Sequence, residues 1–352
     1  MRSLSWRARA LLAVLAVGFT LVVVNTARRL LQRPEDRSTH EGDMHDFSGS
    51  HPGDLRPGLE REDDAQNYGA PVSVPYRFHT SSLGFRGPEP EAGSPVVLVI
   101  GDSFVFGMGV NDEETFPARL QVELRRSLPG VVVHNAGVPG YTIDDERELW
   151  HEKLSALHPD LVVLCHNGSD IKEMARPTSF RRAMRWDPNV PELADDEVAA
   201  IVARSGGDKA QAIRAEWVFD VNALVRRLGD RLGPELQRMQ GTYADRLAAL
   251  AGEVRASSPG TRFAFVLWVE SYGYGGLEAA PLSARARAAG IPVFEGARAM
   301  RGDAPSMPPE LLLPDRHFSP AGNALAARQT AAWLLESGLV GSQASPKSPR
   351  DH

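Results

Sequence analysis

The sequence predicts an α/β fold in which a parallel sheet carries helices on both faces. Short apolar runs that suit buried strands alternate with segments whose apolar residues recur at helical spacing. The clearest run is VVLVIG at residues 96–101. A run of this length also suits a short buried helix, but the Asp-Ser pair and the glycines that follow it indicate a sharp turn at the end of a strand. Polar clusters follow several of these strands, at the edge where open α/β sheets bind ligands.

The composition is that of an ordinary globular protein whose charge is unevenly distributed. The 352 residues are 42% apolar and 24% charged, and the formal net charge is -6. Residues 1–33 hold six arginines and no acidic residue, which leaves 33 basic and 45 acidic residues, about -12, in the remainder. That balance argues against a nucleic-acid-binding surface. Cys165 is the single cysteine, which excludes an internal disulfide and a cysteine metal cluster.

The N-terminal residues 1–33 are predicted to be a signal anchor that crosses a membrane. Residues 10–24, ALLAVLAVGFTLVVV, are uncharged, and three arginines lie on each side of them. The run is short for a transmembrane helix, but flanking residues lengthen it if the arginines snorkel. A cleaved signal peptide is the alternative, and residues 25–27 make a poor cleavage site. We therefore expect a single-pass membrane protein whose domain is extracytoplasmic, either periplasmic or on the outer face of the cytoplasmic membrane.

The rest of the chain divides into a linker, one domain and a tail. Residues 34–75 are rich in Asp, Glu, Gly, Pro and Ser and are predicted to be a flexible linker, whose three histidines are interpreted as solvated rather than metal-binding. The predicted domain spans residues 76–338 and contains a helical insertion at about residues 171–240. We expect the insertion to pack on the domain, with a substrate lid or a membrane-facing surface as alternatives. Residues 339–352 are predicted to be a disordered tail.

The elements of the domain follow one another in a regular order. A turn or short hairpin is predicted first, at residues 76–87. Two helix starts carry clear signals: Thr142 is a predicted N-cap followed by three acidic residues, and Ser319 is a predicted N-cap followed by Pro320. Strands are predicted at about residues 96–101, 131–134, 161–165, 263–269 and 292–294, and helices at about residues 113–128, after 142, 244–256, 284–289 and 320–336.

Ser103 is the candidate nucleophile because it lies in the turn after the first strand. Serine needs a base to take its proton, and that base needs a partner to fix its tautomer. His317 precedes the last helix and could be the base, and Asp315 could approach its other ring nitrogen. Acyl transfer also needs donors for the developing oxyanion, and the backbone N–H groups of Ser103 and Gly137 are candidates. Each residue alone suits an ordinary turn or cap, but their order along the chain favours catalysis.

Four blocks in this order resemble the SGNH hydrolase superfamily, also called GDSL-type esterases and lipases. The blocks are GDSFVFGMGV, NAGVPGYT, the loop after LVVLC, and PDRHFSPAGN, and the resemblance covers about residues 76–175 and 311–335. The segments SSLGFRG and GVNDEETFPARL resemble a bacterial branch of the family, many of whose members are membrane-anchored.

The resemblance implies a fold and a set of site residues. It implies that Ser103 is the nucleophile, that Gly137 is an oxyanion donor through its backbone, and that His317 is the base, oriented by Asp315. It also implies a flavodoxin-like three-layer sandwich with about five parallel strands, and neither a metal nor an organic cofactor.

The block after the third strand departs from the family pattern. The family usually has Gly-x-Asn-Asp there, with the asparagine side chain as the third oxyanion donor, whereas this chain has Asn167, Gly168, Ser169 and Asp170. Aligned on the aspartate, Ser169 replaces the asparagine; alternatively, Asn167 reaches in from two positions earlier. Loss of one oxyanion donor typically costs about 10²–10³ in rate, so one of these two side chains is expected to serve.

The sequence therefore predicts a membrane-anchored serine esterase that forms an acyl-enzyme on Ser103. The substrate class is a small-molecule, lipid or glycan ester, which includes an acyl or O-acetyl group of the cell envelope. Two alternatives remain: an O-acyltransferase that acts on an envelope polysaccharide, and an SGNH-like domain that binds its ligand without catalysis. A phosphate-cradling loop at GDSFVFGMG is disfavoured, because the P-loop lysine and the Gly-x-Gly-x-x-Gly spacing are missing.

Overall fold

A parallel sheet organises the part of the chain that the structure describes. This structure is a computed structural model, and it describes residues 44–45, 53–68, 70–89, 93–174, 232–272 and 276–341. The strands in these residues are β1 Glu60–Asp64, β2 Pro75–His79, β3 Val96–Gly101, β4 Val132–Gly137, β5 Leu161–His166, β6 Arg262–Leu267 and β7 Val293–Phe294. β1 and β2 pair in antiparallel fashion, and the other five form a parallel sheet in the order β4-β3-β5-β6-β7.

Helices cover both faces of this sheet. They are α1 Ser103–Phe106, α2 Phe116–Arg125, α3 Ile143–Glu152, α4 Asp170–Glu173, α5 Leu232–Ser257, α6 Ala280–Ala288, α7 Gly296–Arg301 and α8 Pro320–Glu336. Short 3-10 helices lie at Ala65–Tyr68, Asp112–Glu114, Leu154–Leu157 and Pro309–Leu311.

The core consists of two layers because alternate side chains of each strand point to opposite faces. On β3, Leu98 and Ile100 pack in the layer that includes α3, α5 and α6. Val97 and Val99 pack in the other layer, with α2, α7 and α8. The predicted α/β fold with a five-stranded parallel sheet is confirmed, and the strand order is the flavodoxin-like one.

Several predicted helix boundaries shift in the structure. α2 begins at Phe116 rather than at residue 113, because the three residues before Thr115 form a 3-10 helix. α5 begins at Leu232, so its first turns belong to the segment predicted as an insertion. Residues 175–231, the remainder of that insertion, lie outside the described residues. α8 begins as predicted, since the Ser319 hydroxyl accepts a hydrogen bond from the Gly322 N–H at 3.1 Å.

The domain begins before residue 76, within the segment predicted to be a flexible linker. Met44 and Leu55 are 0% and 1% exposed and belong to the core, and β1 pairs along its whole length with β2. The Tyr141 hydroxyl donates to the Asp54 carboxylate at 2.8 Å. His45 is buried rather than solvated, and burial lowers its pKa to about 4. The described part of the predicted linker is therefore folded onto the domain.

The two ends of the chain fall largely outside the described residues. The predicted anchor at residues 10–24 and the tail from residue 342 are not among them. Leu339 and Val340, predicted to start the disordered tail, are buried against the core, so the domain reaches past residue 338. In the parts that the structure describes, the helices are too short or too polar to cross a membrane.

Candidate active site

Ser103 lies at a sharp strand-to-helix turn, as the sequence predicts. β3 ends at Gly101, Asp102 is the N-cap of α1, and Ser103 is the first residue of that helix. The Asp102 carboxylate accepts the Phe104 N–H at 3.0 Å, which fixes the start of the helix. Gly101 has φ +153°, and a Cβ there would lie 2.6 Å from the Val105 side chain. A larger residue than glycine would therefore push α1 away from the strand.

The structure brings His317 and Asp315 to this turn. The His317 Nε2 atom lies 2.9 Å from the Ser103 Oγ, and its Nδ1 atom lies 2.9 Å from the Asp315 Oδ2. The Asp315 Oδ1 also accepts the backbone N–H of His317 at 3.1 Å. The imidazole packs against the Phe104 ring, with 5.0 Å between centroids. Ser103 and His317 are 214 positions apart in the sequence, so the fold alone creates this contact.

The loop that carries the histidine bends sharply at Arg316. Its φ is +76°, which is uncommon for a residue with a side chain, and it separates Asp315 from His317. The bend is closed by hydrogen bonds from the Arg316 N–H to the Leu313 carbonyl at 2.9 Å and from the Leu313 N–H to the His317 carbonyl at 2.7 Å. This conformation lets a carboxylate two residues earlier reach the ring nitrogen of the histidine.

The electrostatics of the pair suit a base and its orienting carboxylate. Burial opposes the ionisation of Asp315, but the hydrogen bond and the charge of His317 outweigh it, so the pKa of Asp315 is lowered. An ionised Asp315 accepts a hydrogen bond from Nδ1 and thereby directs the lone pair of Nε2 at the Ser103 hydroxyl. Such a row of hydroxyl, imidazole and carboxylate can move a proton during nucleophilic attack.

Both candidate side chains of the third block lie beside this turn. The Asn167 amide donates to the Asp102 Oδ2, and the Ser169 hydroxyl lies 3.3 Å from the same oxygen. The Asn167 Oδ1 accepts from the Ser169 N–H at 2.6 Å and contacts the Ser169 hydroxyl at 2.9 Å. Asn167 is 2% exposed and Ser169 is partly exposed. Asp102, which precedes the nucleophile, thus connects the turn after β3 to the loop after β5 that carries Asn167 and Ser169.

Gly137 lies against α1, and its N–H has an acceptor within the protein. Its N–H, expected to be an oxyanion donor, donates to the Asn135 side chain at 3.1 Å. A Cβ at Gly137 would lie 2.4 Å from the Phe106 backbone nitrogen, so the glycine is required for α1 to pack against β4. The geometry therefore gives Gly137 a packing role, and its N–H would have to leave Asn135 to bind an oxyanion.

A group of buried acids behind the turn was missed by the sequence reasoning. Oxygens of Asp102, Asp170 and Glu173 lie within 4.8 Å of one another, the one such group in the described residues with spacing for a metal. Burial, with the charge of Asp170, raises the pKa of Asp102 to about 6. Burial also raises the pKa of Asp170 and of Glu146 well above their ordinary values. These raised pKa values favour shared protons in this group.

His166 lies under the same group and is neutral. It is fully buried, and burial lowers its pKa to about 3. Its Nε2 lies 2.7 Å from the Tyr272 hydroxyl, and its Nδ1 lies 2.7 Å from the Asp170 carboxylate.

We expect Glu146→Gln to stabilise the protein most strongly at alkaline pH. Glu146 is 3% exposed and its Oε2 has no hydrogen-bond partner among the described residues. Because burial raises its pKa, the native state keeps a proton that the unfolded state has lost, and stability falls as pH rises above the ordinary glutamate pKa. At a pH above the raised pKa, each pKa unit of the shift lowers the free energy of unfolding by about 1.4 kcal/mol. Glutamine does not ionise, so the variant avoids this loss.

Urea unfolding at about pH 5 and about pH 8 checks this expectation, with the exposed Glu152→Gln on the same helix as the matched control. The gain in free energy of unfolding should be larger at the higher pH for Glu146→Gln alone. An equal gain at both pH values would contradict the assignment of a buried, titrating Glu146.

Comparison with known families identifies the family to which the chain belongs. Residues 99–325 match the GDSL-like lipase/acylhydrolase family, and the chain belongs to this family. The matched region includes Ser103 and His317 and extends into α8. The protein is accordingly a hydrolase that acts on ester bonds.

Solved structures with low sequence identity resemble this chain. One, from Desulfitobacterium hafniense DCB-2 and assigned to the G-D-S-L family of lipolytic proteins, is 16% identical, with 68% of this chain and 99% of that chain covered and a TM-score of 0.42. TesA is 17% identical, with coverages of 70% and 99% and a TM-score of 0.42. A catalytic mutant of Axe2, an acetylxylan esterase from Geobacillus stearothermophilus, is 18% identical, with coverages of 72% and 99% and a TM-score of 0.40. No curated protein matches the chain.

Proposed function

We propose that the protein is a serine esterase in which Ser103 is the nucleophile, His317 the general base and Asp315 the orienting carboxylate. The observation that carries the proposal is the pair of 2.9 Å contacts on either side of the His317 ring, one to Ser103 and one to Asp315. A hydroxyl within hydrogen-bond reach of a base that a third group orients is the arrangement required for an activated nucleophile.

The reaction follows from these contacts in two halves. The Ser103 Oγ attacks the ester carbonyl while the His317 Nε2 takes its proton, and collapse of the tetrahedral intermediate breaks the C–O bond as the imidazolium returns the proton to the leaving alcohol. Water then attacks the acyl-enzyme, again through His317, and releases the acid and free Ser103. The ionised Asp315 stabilises the imidazolium in both halves.

The oxyanion donors are proposed to be the backbone N–H of Ser103 and the hydroxyl of Ser169. Ser103 occupies the first position of α1, where a helix N–H has no acceptor within the helix. Ser169 is partly exposed and its hydroxyl lies beside Asp102, whereas the amide of Asn167 is buried and directed at Asp102. Asn167 then acts through its Oδ1, which accepts the Ser169 backbone N–H. The Ser169 hydroxyl has one proton, which points to Asn167 Oδ1 or Asp102 Oδ2 in the resting site and turns to the substrate oxygen when the ester binds.

Ser169→Ala is therefore expected to lower kcat by about 10²–10³ with little change in KM, because it removes a donor that acts on the transition state. Ser169→Asn, which restores an amide donor at this position, is the matched control and should keep most of the activity. Steady-state kinetics with p-nitrophenyl acetate measures both. A Ser169→Ala enzyme with the wild-type kcat would exclude Ser169 as a donor.

The substrate is proposed to be a small-molecule, lipid or glycan ester, with water as the acyl acceptor. The support is the ester chemistry of the family to which the chain belongs. Incubating the full-length protein with an acetyl donor and a glycan acceptor tests the choice of acceptor. Release of acetate is expected, and preferential transfer of the acetyl group to sugar would replace the hydrolase by an O-acyltransferase.

We also propose that residues 1–33 anchor the enzyme and that its domain lies outside the cytoplasm. The support is the uncharged apolar run at residues 10–24 between two arginine groups. An alkaline phosphatase fusion after residue 341 should be active in cells, since that reporter folds only outside the cytoplasm. Activity of a cytoplasmic reporter at the same position, with an inactive phosphatase, would reverse the orientation.

A further inference from the structure

Arg86 is a fully buried charge beside α1 that the proposed reaction does not use. Its side chain is 0% exposed, and burial lowers the pKa of its guanidinium. Burying a charge is costly unless it is paired and hydrogen-bonded. The arrangement around Arg86 therefore needs a reason. Its guanidinium lies near the rings of Tyr76 and Phe78 on β2, and its hydrogen bonds go to the end of α1 and to the segment that follows α1.

The guanidinium satisfies the carboxyl end of α1. Nη1 donates to the carbonyl of Phe106 at 2.9 Å and to that of Gly107 at 2.6 Å, and Nη2 donates to the carbonyl of Val110. Nε donates to the Asp112 carboxylate at 2.9 Å. The carbonyl groups in the last turn of a helix receive no hydrogen bond from an N–H group of the same helix. A cation near that end also interacts favourably with the helix dipole. Arg86 thus caps α1 with two hydrogen bonds and fixes the segment after α1 with two more.

The same residue joins α1 to the edge of the sheet. The Arg86 N–H donates to the Asn135 carbonyl on β4 at 3.1 Å, and the Asn135 amide donates to the Phe106 carbonyl at 3.3 Å. The guanidinium also lies over the Phe106 ring, 4.5 Å from its centroid. The carboxyl end of α1 is therefore fixed to β4 through one arginine and one asparagine.

A helix of one turn cannot hold its own orientation. α1 has four residues, and a single turn of helix is unfavourable without outside contacts. Asp102 fixes its amino end through the Phe104 N–H, and Arg86 fixes its carboxyl end. Ser103 lies between these two anchors, so a tilt of α1 about Asp102 would move the Ser103 hydroxyl relative to the His317 ring.

We infer that Arg86 is a positioning residue for the nucleophile: its planar guanidinium fixes α1 so that the Ser103 hydroxyl stays within reach of His317. The inference rests on the proposed function. Lysine keeps the charge but lacks the rigid fork that reaches three carbonyls and a carboxylate at once, so it cannot replace Arg86. A displacement of the reacting atoms by about 1 Å can cost about 10²-fold in rate, which sets the size of the expected effect.

The test compares Arg86→Lys and Arg86→Ala with the wild type in the full-length protein. The measurements are the second-order rate of fluorophosphonate labelling at Ser103, kcat and KM for p-nitrophenyl acetate, and the folded fraction from circular dichroism. For the folded protein we expect labelling and kcat to fall by about 10²-fold, with KM nearly unchanged. Added guanidinium ion should partly restore labelling of Arg86→Ala. Arg77→Lys, an exposed arginine on β2 that pairs with Glu62, is the control and should behave as the wild type.

The labelling rate and the folded fraction together distinguish failure of the Arg86 inference from failure of the proposed function. Arg86 variants that are less stable but whose folded fraction is labelled at the wild-type rate would overturn the positioning role. If neither Arg86 variant folds, Asp112→Asn, which keeps Arg86 but removes its anionic partner, decides: slower labelling supports the inference and unchanged labelling overturns it. A folded wild type that is not labelled would instead overturn the proposed function itself.

Discussion

Replacing Ser103 with alanine is expected to lower kcat for an activated acetyl ester by about 10⁶-fold. The hydroxyl lies 2.9 Å from the His317 Nε2, and no covalent acyl intermediate can form without it. The residual rate would come from binding and from the oxyanion donors alone. Because Ser103 is partly exposed and its side chain contributes little to the core, the variant should fold normally.

Steady-state kinetics and a pre-steady-state burst measure this loss, with the exposed Ser127→Ala as the matched control. The burst of p-nitrophenol that reports acyl-enzyme formation should be present in the wild type and in Ser127→Ala and absent from Ser103→Ala. A Ser103→Ala enzyme that retains a burst would show that another residue is acylated.

Asp315→Asn is expected to lower kcat by about 10⁴-fold while KM changes little. The Asp315 carboxylate accepts a hydrogen bond from the His317 Nδ1 at 2.9 Å, and its lowered pKa keeps it ionised. An asparagine at this position offers an amide donor to Nδ1, which favours the tautomer that carries its proton on Nε2 and therefore cannot accept the Ser103 proton. The charge that stabilises the imidazolium is lost as well.

Kinetics over a range of pH separates these effects from a loss of structure, with the exposed Asp303→Asn as the control. The loss in kcat should persist at pH values where both proteins are fully folded by circular dichroism. A folded Asp315→Asn enzyme with the wild-type kcat would remove Asp315 from the mechanism.

The parallel sheet could be predicted because its strands are buried on both faces. β5, LVVLCH, is buried at all six positions and therefore appears in the sequence as a continuous apolar run. β1, EREDD, has one buried side chain, Asp63, and is held mainly by backbone pairing with β2. Composition does not reveal such pairing, which is why β1 lies within the segment predicted to be a linker.

Some residues of the active site could be predicted from their position in the sequence, and others could not. Ser103 lies in the turn after β3, and the candidate base His317 lies just before the clear helix start at Ser319 and Pro320, so both positions could be recognised in the sequence. Asp315 is near His317 in the sequence. The roles of Gly137, Glu146 and Arg86 depend on which neighbour each one faces. The acids in the first turn of α3 suit the helix dipole equally well, and only tertiary packing separates the buried Glu146 from the partly exposed Asp144.

The most direct test of the serine mechanism is to treat the full-length protein with a fluorophosphonate and to locate the adduct by tandem mass spectrometry. The proposed contact between His317 and Ser103 predicts a single adduct on Ser103 in the wild type and none at the same exposure time in a folded His317→Ala variant. An adduct on a different residue, or equal labelling of Ser103 without the imidazole, would contradict it.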